Sequence, residues 1–153
     1  MRLSLKDHMS RKLLVIGEGD TVENALQMMR NNWIRHLPVL DKNNEVVIGM
    51  VAERDLVAVA AQSPVKSVMS TPVKTFDSST PLDSVVNAMI EEKTSAYLIT
   101  DNKEITGIVT SEDMLVLLKE LLTQENSQPT TMMDVLMNPV LQRTVNMMSQ
   151  AGI

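Results

Sequence analysis

The sequence predicts an α/β (α+β) fold in which a β-α-β-β-α unit is built twice, followed by a C-terminal helical tail. Three observations carry this expectation. The octapeptide Gly49-Met50-Val51-Ala52-Glu53-Arg54-Asp55-Leu56 returns as Gly107-Ile108-Val109-Thr110-Ser111-Glu112-Asp113-Met114, 58 positions later. Upstream, Lys6, Met9, Ser10, Met29 and Asp41 recur at an offset of 60 as Lys66, Met69, Ser70, Met89 and Asp101, so a two-residue difference falls in the loop around Asn43 and Asn44. Both halves also run through the same order of short apolar stretches and stretches of helical period.

In the first half, Leu13 to Ile16 is an apolar run closed by Gly17 and Gly19, which predicts a buried strand and a turn. A helix follows, capped by Asp20 or Thr21, with Val22, Ala25, Leu26, Met29 and Trp33 on one face. Leu37–Leu40 and Val46–Val51 read as strands joined by the polar turn Asp41–Glu45, and so pair as a hairpin. Gly49 lies within the second of these strands, where a missing side chain admits another backbone or a ligand. A second helix is expected from Glu53 to Ala61. The second half repeats the order: strand Val73–Phe76, helix Leu82–Glu92 with Pro81 at its start, hairpin Tyr97–Val109, helix Glu112–Leu122. Helices on one face of a three-stranded sheet leave the other face bare, so the two sheets should bury those faces against each other. The boundaries read from this pattern are 1–62 and 63–122 for the repeats. The remainder, 123–153, is a polar linker (Thr123–Thr131) and a methionine-rich tail. In the tail, Asn138-Pro139 separates two short helices, and Leu141, Thr144, Val145 and Met148 share a face.

The chain has 153 residues, 44% of them hydrophobic and 22% charged, ordinary values for a globular protein. Units of about 60 residues bury too little surface to be secure alone, so the two halves should share a core. With no cysteines, disulfides, thiolate catalysis and cysteine-ligated metals are excluded. Two histidines and no spacing that marks a triad or carboxylate pair leave no catalytic constellation and no metal site, so an enzyme is not expected. A net charge of −5 argues against a nucleic-acid surface. No signal-peptide stretch or run of about 20 apolar residues occurs, so the expectation is a cytoplasmic protein without a membrane partner.

The pattern Gly107 to Met114 resembles the signature of cystathionine β-synthase-type regulatory domains, CBS domains. Gly49 to Leu56 resembles it with one departure, and Arg35-His36-Leu37-Pro38-Val39-Leu40-Asp41 is similar to the family's second-strand pattern. The resemblance covers roughly residues 5 to 122. It implies a pseudo-twofold module of two repeats, often paired into a homodimer, with two clefts for adenosine-containing ligands such as AMP, ADP or ATP, and a regulatory role.

By resemblance, one cleft contains Asp113, Thr110 and Ile108 together with Met9, Ser10, Ile34, Arg35 and His36. The other combines Met50, Asp55 and Arg54 with Met69, Ser70, Lys74, Ser95, Ala96 and Tyr97. A carboxylate at Asp113 or Asp55 can accept hydrogen bonds from the two ribose hydroxyls, and Thr110 opens a helix whose free N–H groups favour phosphate. Ala52 stands where the second copy has Thr110, which predicts tighter binding at Asp113 by the worth of one hydrogen bond to a charged group, about 1.5 to 3 kcal/mol. Arg54 could offset that loss by meeting the phosphate directly. Arg35 and His36, whose counterparts in the other copy are Ser95 and Ala96, add a basic pair with a pH-sensitive member.

Each feature also has a plainer reading. Thr110-Ser111-Glu112-Asp113 is a capping box, and Asp55 suits the positive end of a helix. Arg35 and His36 are a solvated strand entrance, and Trp33 packs at a helix or subunit contact, with contact to a base as the alternative. The methionines of the tail pack on the module, on a dimer mate or on another protein partner. The competing function class is accordingly a non-catalytic interaction module with vestigial clefts.

Overall fold

The computed structural model describes residues 4–126. The first repeat comprises α1 (Leu5–His8), β1 (Ile16–Gly17), α2 (Val22–Asn32), β2 (His36–Leu40), β3 (Val47–Ala52) and α3 (Glu53–Leu56). After a 3-10 turn at Val65–Ser67, the second comprises β4 (Thr75–Asp77), α4 (Leu82–Glu92), β5 (Ala96–Asp101), β6 (Glu104–Thr110) and α5 (Ser111–Asn126). Two three-stranded sheets result, ordered β1-β2-β3 and β4-β5-β6, each with one parallel and one antiparallel pairing. The parallel pairs need a crossover, which α2 and α4 supply. The chain divides into two compact units, Met1–Val116 and Leu117–Ile153, and both sheets lie in the first. The expected tail helices, including Leu141, Thr144, Val145 and Met148, lie outside the described residues.

α2 forms because Thr21 accepts a hydrogen bond from the Asn24 N–H (3.2 Å) and because Val22, Ala25 and Met29 recur on one buried face. That face packs on Ile16, Leu37, Val39 and Val51 of the first sheet, with Leu56 and Val65 closing the cluster. On the opposite side, Val47 and Met50 of β3 meet Ala96, Leu98 and Ile108 of the second sheet, joined by Leu13 and Val73. The predicted burial of sheet against sheet is therefore present. Leu13 and Val73, expected in strands, serve this inter-sheet cluster, so β1 and β4 begin later than the apolar runs suggest.

Three further expectations are corrected. α3 stops at Leu56 rather than Ala61. It has no side-chain cap at Ala52, β-branched Val57 and Val59 follow, and the carbonyls of Ala61 and Ser63 are needed by the N–H groups of Glu23 and Val22 at the start of α2 (both 2.9 Å). α5 runs on to Asn126, into the segment read as a linker, because Thr123, Gln124 and Glu125 tolerate helix. Trp33 does not continue the apolar face of α2. The helix ends at Asn32 in a Schellman motif, with Trp33 N–H bonded to the Arg30 carbonyl (3.4 Å) and Ile34 N–H to the Met29 carbonyl (3.0 Å). Trp33 is the left-handed residue (φ 54°), and its side chain is 94% exposed.

The halves interlock through their leading segments. Ser10 exchanges two backbone hydrogen bonds with Ile108 of β6 (2.8 and 2.9 Å), and Ser70 exchanges two with Met50 of β3 (2.8 and 3.0 Å). Each repeated glycine makes this possible. A Cβ on Gly107 would stand 2.8 Å from the Ser10 carbonyl oxygen, and one on Gly49 would stand 2.6 Å from the Met69 sulfur.

Candidate functional site

A cleft of about 620 Å³ opens between the repeats. Its walls come from the start of β2, the end of β3, the start of α3, the end of β6 and the start of α5, with Ser10 and Lys12 on the leading segment. Ser10 is there because its bridge to Ile108 holds the N-terminal segment against β6. Of the residues expected around Asp113, the cleft gathers Ser10, Ile34, Arg35, His36, Ile108 and Thr110. Met9 is elsewhere: its sulfur packs over Gly107, 2.9 Å from where a Cβ would be.

At the start of α5 the capping box is fully formed. Thr110 donates from its N–H (2.7 Å) and its hydroxyl (2.8 Å) to Asp113 Oδ2, and Asp113 N–H donates back to the Thr110 hydroxyl (3.3 Å). The Ser111 N–H is held by the Ser95 carbonyl (2.9 Å). The Thr110 hydroxyl and the N–H groups of Thr110, Ser111 and Asp113, which the resemblance offers to a phosphate, therefore have partners within the chain. The bonds to Asp113 converge on Oδ2, and neither of them uses Oδ1.

Cations gather in the same cleft. Arg35, Arg54 and Lys12 line the cleft, and among the described residues no carboxylate pairs with Lys12 or Arg35. Arg54 makes one long, solvated contact, Nε to Asp55 Oδ1 at 3.8 Å. Arg54 was assigned by sequence to the second cleft. Its place along this one, from the first turn of α3, is a correction. The Arg35 carbonyl accepts the Glu53 N–H (2.9 Å), the pseudo-symmetric counterpart of Ser95 with Ser111. Between these two anchor points, His36 Nε2 and Ser95 Oγ are hydrogen-bonded across the repeats at 2.9 Å. Burial holds the His36 pKa below the usual histidine range; the Arg54 and Arg35 charges act in the same direction and Asp55 opposes them. The imidazole is thus neutral at pH 7.

The residues expected in the second cleft serve largely as structure. Met50 and Ser70 form the second bridge, and Met69 packs on Gly49. Lys74 pairs with Glu92 (2.6 Å) and reaches Thr94 (3.4 Å). Tyr97 is buried, stands edge-on to Phe76 (centroids 4.8 Å apart) and donates its hydroxyl to Glu92 (3.0 Å). Ala96 is buried in the inter-sheet cluster, and Asp55 is half-exposed. Sequence reasoning missed Lys12 and Pro38, and it did not count Trp33 among the cleft residues, although Trp33 stands at the rim beside Ile34. The alternation of an extended segment puts Lys12 on the same side as Ser10, a signal that was available once Ser10 was placed. Among the described residues, no cluster of His, Asp or Glu suits a metal ion, and no helix is long and apolar enough to cross a membrane.

The CBS domain family profile matches residues 5–62 and again 65–120. The uncharacterized protein YlbB of Bacillus subtilis is 28% identical over 116 residues, an alignment covering 72% of this chain and 78% of that one. The crystal structure of the acetoin utilization protein AcuB of Vibrio cholerae superposes with a TM-score of 0.70 at 27% identity, covering 84% of this chain and all of that one. The CBS domain pair of protein MJ0100, solved in complex with 5′-methylthioadenosine and S-adenosyl-L-methionine, gives a TM-score of 0.68 at 25% identity over 76% of this chain and 99% of that one. The same stretch also matches longer chains that carry enzyme names, of which it spans less than a quarter.

Proposed function

We propose that this chain, which belongs to the CBS domain family, is a regulatory ligand-binding protein whose Asp113 cleft takes an adenine nucleotide such as AMP, ADP or ATP. One observation carries the reading: a single cleft brings together the cations Lys12, Arg35 and Arg54 and a carboxylate, Asp113, whose Oδ1 takes no part in the cap. A nucleotide requires both, because its phosphate is anionic and its ribose offers a diol of donors. Arg35 and Arg54 would hold the phosphate, with Lys12 adding charge, and Asp113 Oδ1 would accept from the diol. The Thr110 bonds preorganise Asp113 for that role, so the capping box and the binding reading are compatible. The MJ0100 pair, solved with two adenosine derivatives, supports the ligand class.

A calorimetric panel of AMP, ADP, ATP, cyclic AMP and S-adenosylmethionine tests the proposal. AMP, ADP or ATP is expected to bind, with affinity about 10- to 100-fold weaker in Asp113→Ala and little changed in Asp55→Ala. Loss only in Asp55→Ala would reverse the assignment. If millimolar ligand produces no heat and no thermal shift in a folded protein, the reading fails. In that case the interaction-module reading takes its place, and the exposed Leu115, Val116, Leu118, Leu121 and Leu122 along α5 favour it.

A further inference from the structure

Trp33 is the only tryptophan of the chain, and it occupies a position that its own chemistry does not suit. The backbone there is left-handed in both repeats: φ is 54° at Trp33 and 56° at Lys93, each closing the crossover helix of its repeat. Glycine or asparagine closes a helix in this way at lower cost, so the indole is not explained by the turn. Packing does not explain it either, because the ring is 94% exposed while Met29, one turn earlier on the same helix, is buried. What the turn does provide is location. It lifts the side chain off the helix face and sets it at the rim of the cleft, two residues before Arg35 and three before His36.

We infer that Trp33 is a stacking platform for the base of the nucleotide proposed above, and so a specificity-determining residue for aromatic bases. The inference rests on the nucleotide reading of this cleft. Three kinds of group converge there: cations for a phosphate, a carboxylate oxygen for a diol and a flat exposed ring at the rim. The third has no role toward phosphate or sugar, whereas a purine presents a π-face of matching size. The counterpart Lys93 carries no ring, so the two repeats are unequal at this position. The competing occupant, an apolar surface on a second copy of the chain, would not require the ring to share a cleft with Arg35 and Arg54.

The experiment uses the full chain, with AMP and ribose 5-phosphate as probes. Because Trp33 is the sole indole, AMP is expected to change the intrinsic fluorescence, and ribose 5-phosphate is not. In calorimetry, Trp33→Gly is expected to weaken AMP about 5- to 150-fold, the range reported for removing a stacked aromatic, while ribose 5-phosphate binding stays within about twofold. Trp33→Phe should recover most of the loss. Glycine suits the positive φ, so the Trp33→Gly melting temperature should equal or exceed that of the parent, which separates lost stacking from lost folding. AMP affinity in Trp33→Gly within twofold of the parent overturns the platform and leaves the nucleotide reading standing. Equal loss of AMP and ribose 5-phosphate also overturns it. Unchanged AMP binding with a smaller species in size-exclusion chromatography overturns it too, and gives the ring to self-association. Absence of AMP binding in the parent removes both inferences.

Discussion

Gly107→Ala is the perturbation with the best-defined structural cost. The new Cβ would lie 2.8 Å from the Ser10 carbonyl oxygen and 2.9 Å from the Met9 sulfur. The sulfur ends a flexible side chain, but the oxygen is backbone and is itself bonded to the Ile108 N–H at 2.9 Å. Relief therefore requires the leading segment to move off β6, weakening two backbone hydrogen bonds worth about 0.5 to 1.5 kcal/mol each. Forcing an extra carbon into packed surroundings costs about 1 to 3 kcal/mol, and this overlaps with the bond loss because the same movement relieves both. The expected destabilisation is about 2 to 3 kcal/mol, or a fall of about 1 to 2 M in the urea midpoint. Gly49→Ala should cost less. Its nearest obstruction, at 2.6 Å, is the Met69 sulfur, which can rotate away, and the Ser70 carbonyl oxygen is at 3.0 Å. Gly19→Ala is the control, with nothing within 4 Å, and should stay within about 0.5 kcal/mol or gain slightly. A Gly107→Ala midpoint equal to that of the control, or a larger loss in Gly49→Ala, would refute the claim that backbone approach across the repeats requires these glycines.

Two further outcomes follow from the cleft. His36 has a lowered pKa in the folded chain, so below the usual value of about 6.5 the unfolded chain binds more protons. Its contribution to stability is complete above pH 6.5 and is lost as pH falls through the folded value. Urea titrations from pH 7.5 to 5.5 should show a decline that His36→Gln reduces, and identical profiles would count against it. Thr110→Ala removes the cap at the start of α5 and should cost about 0.5 to 2 kcal/mol in thermal unfolding, whereas Ala52→Thr gives Asp55 a partner three residues upstream and should raise stability. No loss in Thr110→Ala would mean that the two bonds of its hydroxyl contribute nothing to folding.

The repeat, the element order and the close approach at Gly49 were legible because they are local: a glycine within a β-strand motif, a period of 3.6 or 2, a polar turn. What was not legible depended on distant partners. The length of α3 is limited by the first turn of α2, whose N–H groups claim the carbonyls of Ala61 and Ser63 some 40 positions downstream. Trp33 fits the spacing of the apolar face in α2, and only the left-handed turn sends it elsewhere, a conformation that a tryptophan does not advertise. The site divides in the same way. The grouping of Ser10, Arg35, His36 and Thr110 with Asp113 is what the CBS resemblance implies, whereas the place of Arg54 along that cleft was visible only in the fold. Likewise Thr110-x-x-Asp113 reads equally as a cap or as a binding motif, and only the coordinates show its donors already engaged.

The interlock bears on how a bound ligand could act. Arg35, His36 and Arg54 belong to the first repeat, Thr110 and Asp113 to the second, and Ser10 reaches the cleft only while its segment stays paired to β6. A molecule bridging these walls recognises the assembled pair of repeats and not either one separated. Its binding energy is therefore added to the cohesion between the sheets, by about 2.7 kcal/mol at a ligand concentration one hundred times Kd. The contact most exposed to that change is the His36–Ser95 hydrogen bond, because it spans the repeats inside the cleft and one member is an imidazole beside two cations, Arg54 and Arg35. A phosphate brought beside His36 would raise its pKa, so that binding takes up a proton at any pH between the values of the free and the bound protein. The charged ring then donates from both nitrogens, and the Ser95 hydroxyl can only accept. Ligand occupancy, protonation of His36 and the bond between the repeats are thus linked through one side chain, and calorimetry of AMP binding at pH 6 in two buffers of different ionisation enthalpy measures that linkage. Proton uptake that persists unchanged in His36→Gln would place the titrating group elsewhere.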